Sequence, residues 1–198
     1  MFWVEARRQG RPRDPAINDA ILNAARQLLT EVGYPRLTME GVAARAGVQK
    51  PTLYLRYPTK PALVFAAAFG KTAAIADPET GSLVDDLTIA YQWLIDELTA
   101  PEARAALPGL MADMATDPDG AQLVRSLVIA PEYGRVRDRL ERAIHHGEIR
   151  ADADLELAID ALIGTALVRS AILDHPVDRT FTARTVEMIL TALRPSAE

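Results

Sequence analysis

The sequence predicts an all-α protein, with a three-helix helix-turn-helix head followed by a larger helical bundle. Three observations carry this expectation. Apolar residues recur at helical spacing along most of the chain. No segment alternates apolar and polar residues in the manner of a half-buried strand. Capping residues, glycines and prolines punctuate the helical runs at the places where helices start and stop.

The elements follow in order. "RRQGRPR", Arg7 to Arg13, is basic, carries Gly10 and Pro12, and reads as a flexible arm. Asp14 is the expected cap of a first helix with Pro15 at its first position, where a missing N–H does no harm. Ile17, Ile21, Leu22, Ala25, Leu28, Leu29 and Val32 form its apolar stripe, and Gly33 stops it. Thr38 caps a short helix to Ala46, ended by Gly47, which supplies the positive φ of a tight turn. A second short helix spans roughly Gln49 to Leu55, with Pro51 tolerated in its first turn. Thr59 caps a further helix to about Ala76, and "DPETGS" then makes a turn. The expected body helices are Leu83 to Leu98, Pro101 to Thr116 with an interruption near Pro108, Gly120 to Ile129, Pro131 to His146, Asp154 to Leu173, and Phe181 to Leu193.

Bulk properties narrow the function classes. The chain has 198 residues, 49% of them apolar, which is enough for a sizeable core and argues against disorder. With no cysteine, disulfide-scaffold classes drop out. "MFWVEARRQG" is too short in apolar residues for a signal peptide, and no stretch is long enough to span a membrane, so a cytoplasmic protein is expected. The net charge of −5 is unevenly spread. Residues 1–60 carry ten Lys/Arg against five Asp/Glu, net +5, and residues 61–198 carry net −10. A basic head on an acidic body suits a polyanionic partner for the head alone.

The head explains that charge. Val48, Leu53 and Tyr57 face inward, which leaves Lys50 and Tyr54 on one face and Thr52 and Arg56 beside them. A second helix so arranged can enter a major groove. Lys50 can donate to guanine O6 and N7, and the Thr52 methyl can meet a thymine methyl. Tyr54 offers a rigid hydroxyl for a phosphate, while Thr38 and Lys60 stand near helix N-termini that favour phosphate. Arg11 and Arg13 can enter a minor groove or follow the backbone.

The run "ILNAARQLLTEVGYPRLTMEGVAARAGVQKPTLYLRYPTKPAL", Ile21 to Leu63, resembles the DNA-binding domain of the TetR family of transcriptional regulators. Gly33-Tyr34, Thr38, Val42-Ala43, Ala46-Gly47-Val48, Thr52-Leu53-Tyr54, Tyr57 and Lys60 carry the resemblance. It implies phosphate contacts from Thr38, Tyr54 and Lys60, and groove contacts from Gln49, Lys50, Thr52 and Arg56. Two departures stand out: Gln49 replaces the small capping residue of many members, and Glu40 stands where some carry a basic residue. A carboxylate there repels phosphate, so no phosphate contact is carried over to Glu40. The remainder resembles the family's ligand-binding and dimerisation domain more loosely, notably "RAIHHGEIRADADLELAIDALIGTALVRSAIL". The implied division is residues 1–60 for DNA and 61–198 for effector and dimerisation.

Other constellations fail on chemistry. Gly70-Lys71-Thr72 lacks the first glycine of a phosphate loop, since Phe65 stands in its place and no strand precedes it. His145 and His146 diverge by about 100° on a helix and read, with Glu148, as a helix end rather than a metal site. His175 reads as a loop residue. No catalytic constellation, metal or cofactor is expected.

Phe65, Phe69, Tyr91, Trp93, Met111, Met114, Leu127 and Tyr133 are the candidates for an apolar, adaptable effector pocket. Asp96, Asp113, Arg125 and Arg169 are charges within apolar stretches. On the long helix, Leu155, Ile159, Leu162, Ile163 and Ala166 form one face, and Ala158, Ala161, Thr165, Val168 and Ile172 a second. With Val186, Ile189, Leu190 and Leu193 on the last helix, they predict a homodimer through the last two helices. The expected function is a repressor released from a palindromic operator by a small, hydrophobic, neutral or cationic effector. An activator of the same fold, or a helical-bundle enzyme or carrier that does not bind DNA, is the alternative.

Overall fold

A computed structural model describes residues 15–69, 78, 80–173 and 175–195; the side chains of residues 127, 128, 131 and 132 lie outside that set. Among the described residues all regular structure is helical. Helix α1 covers Pro15–Arg36, but Gly33, at φ 75°, breaks it, and Tyr34 to Arg36 form a separate turn. The glycine stop that the sequence predicts is therefore real. Helix α2, Met39–Ala46, begins where the Thr38 hydroxyl accepts the Gly41 N–H at 3.1 Å. It ends on Gly47, whose φ of 66° lets Val48 N–H reach the Ala43 carbonyl at 3.0 Å. Helix α3, Lys50–Arg56, starts after Gln49, which makes no side-chain cap bond. Helix α4 is Lys60–Phe69; the rest of its expected span, with Gly70-Lys71-Thr72, lies outside the described residues.

The body contains α5 (Leu83–Thr99), α6 (Pro101–Thr116), α7 (Pro118–Val124), α8 (Ala130–His145), α9 (Leu155–Leu167) and α10 (Arg179–Leu193). Two expected interruptions are absent. Helix α6 runs unbroken through Pro108. Helices α7 and α8 join through a π-helical turn, Arg125–Ile129. Its Ala130 N–H to Arg125 carbonyl bond widens the spiral just ahead of Pro131, so the missing proline N–H breaks nothing. A second π-helical turn, Val168–Ile172, extends α9. Asp154 and Asp178 cap α9 and α10 by accepting the Leu157 and Phe181 N–H groups at 3.0 and 2.7 Å.

One hydrophobic core runs from Ile21 to Leu193 without a gap between head and body. Helix α1 packs on α2, α4 and α6, while α4 also touches α5 and α7. A specific joint lies at Tyr34. Its buried ring rests directly on Gly109 of α6, where any Cβ would overlap it. Its hydroxyl donates to Asp113, also on α6. Burial first, then that bond and the carboxylate's charge, push the Tyr34 phenol well above its ordinary pKa. The Lys60 ammonium covers the ring at 4.2 Å from its centroid. Asp113 thus engages the head rather than a ligand.

Packing revises the predicted dimer faces. Val186, Ile189, Leu190 and Leu193 are buried within the protomer, where α10 lies along α5. Thr182 of α10 donates to Gln92 of α5 at 2.8 Å. Ala158 is likewise core, and Thr165 bonds to Tyr91. The apolar side chains left exposed here are Leu157, Val168, Ile172, Leu173 and Met188.

Gly109→Leu is expected to destabilise the fold by about 1–3 kcal/mol, the usual penalty of overpacking. Urea unfolding beside wild type measures it; an unchanged midpoint would mean that the Tyr34 ring moves aside freely.

Candidate nucleic-acid interface and ligand cavity

The turn at Gly47 sets α3 across α2 and divides its residues into two faces. Leu53 is fully buried, and Val48 and Tyr57 pack against the core beside it. The Tyr57 hydroxyl donates to Asn18 of α1 at 2.9 Å. Burial pushes this phenol's pKa up. These contacts hold α3 by its inner side. Gln49, Lys50 and Tyr54 are exposed on the other side, with Thr52 and Arg56 half-buried next to them. The structure therefore brings together the five α3-region residues singled out from sequence. Arg11 and Arg13 lie outside the described residues.

Leu55 was not among those candidates. It is 83% exposed, between Tyr54 and Arg56. Its signal was present in the sequence: with Leu53 turned inward, a leucine two residues on points away from the core, where packing has no use for it.

The polar groups on this face are coupled. Lys50 Nζ lies 3.5 Å from Glu40 Oε1 of α2, and both side chains are more than half exposed. The Glu40 carboxyl is held below its ordinary pKa, first by its own backbone N–H, then by the Lys50 charge, with the Tyr54 hydroxyl contributing. The Thr38 hydroxyl oxygen serves the α2 cap and keeps its proton for an outside acceptor. Lys60 stands at the start of α4, and burial lowers its pKa, opposed by the charge of Asp113.

Behind this face lies a cavity of about 300 Å³ between α4, α5, α6, α8 and α9. Phe65, Phe69, Tyr91 and Tyr133 are on its wall, with Leu94, Leu107, Leu162 and Ile163. Two of these rings, Phe65 and Phe69, stack at 4.8 Å between centroids. Tyr91 turns its hydroxyl to Thr165 at 2.9 Å, and burial raises its pKa. Glu97 is the charged residue of an otherwise apolar wall. Trp93, Met111 and Met114 do not line this cavity; Met111 projects from α6 into solvent. The Leu127 side chain lies outside the described set. Among the charges noted in sequence, Arg169 instead stacks on Phe181 at 4.3 Å, and Asp96 accepts from Gln92 at 2.9 Å.

His146 pairs with Glu148 at 3.7 Å beside Gly147, which closes α8 at φ 75°. Among the described residues no group of three or more His, Asp or Glu is arranged to hold a metal ion, and no helix is long and apolar enough to cross a membrane.

Comparison with known proteins agrees with this geometry. Residues 21–67 match the family model for bacterial regulatory proteins, tetR family, and residues 77–189 the model for the tetracyclin repressor-like C-terminal domain. The HTH-type transcriptional regulator YdeS of Bacillus subtilis is 32% identical over 176 residues, 88% of each chain. The DNA-binding transcriptional repressor TetR of Mycobacteroides abscessus is 31% identical over 181 residues, covering 90% of this chain and 94% of that one. The crystal structure of the TetR family regulator SCO0332 superposes with a TM-score of 0.73 at 32% identity, covering 90% of this chain and 99% of that one.

Thr38→Ala removes the α2 cap and is expected to cost about 1 kcal/mol of stability. Thermal unfolding checks it; no loss would mean that water serves the Gly41 N–H equally well.

Proposed function

This chain belongs to the TetR family of transcriptional regulators, a DNA-binding family, and from that premise we propose that it represses from a palindromic operator until a small hydrophobic molecule fills the body cavity. Residues 1–60 form the DNA-binding part and 61–198 the effector and dimer part. Tyr54, Lys60 and Thr38 hold phosphates. Gln49, Lys50, Thr52 and Arg56 meet base edges, and Arg11 and Arg13 follow the adjoining groove. Similarity to a protein named as a DNA-binding repressor supports the sign of regulation.

The observation that carries the effector mechanism is shared helices. Phe65 and Phe69 of α4 and Leu107 of α6 line the cavity. The same α4 begins at Lys60 behind the recognition helix, and the same α6 carries Gly109 and Asp113 against Tyr34. A molecule wedged between α4 and α6 favours a conformation in which the head is turned. Its leverage is its differential affinity for the two conformations. In a dimer this alters the spacing of the two recognition helices, and half-sites a helical turn apart tolerate little change. The apolar wall suits a hydrophobic effector, and the net −10 on residues 61–198 disfavours an anionic one, so a neutral or cationic molecule fits best.

The dimer forms on the face that the protomer leaves uncovered. Leu157, Ala161, Val168 and Ile172 follow helical spacing along α9, and Met188 of α10 is also exposed. Small Ala161 and Gly164 between them allow a second copy to approach closely.

Three measurements test this. Duplex affinity should fall steeply with salt, and Lys60→Ala should reduce the slope of log K against log salt by about one. A slope unchanged in the variant removes Lys60 from the phosphate set. Leu94→Glu charges the cavity wall; it should keep duplex binding and lose release by apolar compounds titrated onto the preformed complex. Equal release from both proteins would put the effector elsewhere. Leu157→Arg with Ile172→Arg should sediment as a monomer at micromolar concentration where wild type is a dimer, and a dimeric variant rejects this face.

A further inference from the structure

Glu40 is an acid on a face otherwise suited to DNA. It stands in the first turn of α2, exposed, with its carboxylate 3.5 Å from the Lys50 ammonium of α3. A core has no need of this bridge, because Leu53, Val42 and Ala43 already seat α3 on α2. An exposed ion pair of this kind contributes little stability.

The partners open to a carboxylate at a DNA surface are few. It has acceptors only, so phosphates and the acceptor atoms of guanine and thymine repel it. In the major groove, donors come from adenine N6 and cytosine N4. Adenine sets its N7 acceptor beside N6, which a carboxylate meets with repulsion. Cytosine presents its amino group without a neighbouring acceptor on the same base.

The Lys50 distance fits two bases of one pair. A T·A pair also sets an acceptor beside a donor, but only G·C gives Lys50 a second acceptor at guanine N7 and spares the carboxylate an acceptor beside the amino group. In a G·C pair, guanine O6 and cytosine N4 are themselves joined by an N–H···O bond of about 2.9 Å. They display an acceptor and a donor side by side. The Lys50 and Glu40 head groups display a donor and an acceptor at 3.5 Å. The two pairs are complementary in sign and nearly equal in spacing.

We propose that Glu40 and Lys50 act together to read one G·C base pair, Lys50 donating to guanine O6 and N7 and Glu40 accepting from the N4 amino group of the paired cytosine. This rests on the operator-binding reading above. It makes Glu40 a specificity determinant. The lowered pKa of Glu40 keeps it an acceptor at neutral pH. In the free protein the Tyr54 hydroxyl is a further hydrogen-bonding neighbour that helps to hold the Glu40 pKa down.

The test uses the full-length protein and a duplex library with randomised half-sites in inverted repeat. Bound pools are sequenced for wild type, Glu40→Ala and Lys50→Ala. The expected wild-type pool holds a G·C pair at one position of each half-site, and both variants relax that same position and leave the others unchanged. A duplex from the wild-type pool is then made with N4-methylcytosine at that position, which puts a methyl group on the amino nitrogen. Wild type should lose about tenfold in affinity, and Glu40→Ala should bind both duplexes alike. Exposed Glu40 makes misfolding a poor explanation, and a matching thermal melt checks it. Unchanged base preferences in Glu40→Ala overturn the pair while leaving operator binding intact. So does wild-type tolerance of N4-methylcytosine, which would leave Glu40 only a support for Lys50. A wild-type pool without any shared sequence overturns the pair and the operator reading together.

Discussion

The Tyr34 side chain is the constraint on which the arrangement of head and body depends. It follows the glycine that breaks α1, so the chain turns there and the ring leaves the helix axis. The ring fits α6 because residue 109 is a glycine, and its hydroxyl finds Asp113 one helical turn further on. Lys60 closes the other face, so three elements meet on one aromatic ring. A buried phenol needs a hydrogen-bond partner, and the only way to satisfy both the ring and the hydroxyl is to keep α6 in register with α1. The joint is therefore specific in direction. A purely apolar contact of the same area would let the helices slide.

That specificity matters because the cavity lies immediately beyond it. Leu107 of α6 faces the cavity, while Gly109 and Asp113 of the same helix face Tyr34. A packed helix cannot bend freely between two such points, since interiors transmit displacement rather than absorb it. In the proposed regulator, a volume added against Leu107 is passed along the middle of α6 to its contacts with Tyr34. Pro108 sits between the two contacts and takes one hydrogen bond out of the helix there. It lowers the resistance of α6 to bending at the place where bending has an effect.

Much of this was legible in the sequence, and what was not has a common cause. The head could be read closely because its signals are local: Thr38, Gly47 and Pro51 each dictate a backbone conformation within a few residues. Pro108 and Pro131 misled for the same reason, since proline reports a missing N–H and not whether the neighbouring helix tolerates it. Helical stripes show that a face is apolar but not what covers it. Val186, Ile189, Leu190 and Leu193 cover α5 of their own subunit, whereas Leu157 and Ile172 remain uncovered. The cavity residues divided likewise: the four aromatic candidates on α4, α5 and α8 that point between helices reach its wall, and Met111 on the same kind of stretch points out. The Tyr34 to Asp113 bond joins residues far apart in sequence, and no periodicity can report it.

Charge works on two scales in this chain, and the two have different tasks. Over the whole molecule, net +5 on residues 1–60 against net −10 on the rest orients the protein so that its head meets a polyanion first. That attraction is blind to sequence and screened by salt. Within the head, the pairing of Glu40 with Lys50 cancels one of those positive charges. For affinity alone this is a loss, because a neutralised lysine contributes less to counterion release. In the proposed reading this loss is offset by discrimination between base edges, where a donor beside an acceptor penalises pairs of the opposite polarity and phosphate attraction penalises none. In that reading the long-range field brings the head to DNA, and the short-range pair restricts where it stays.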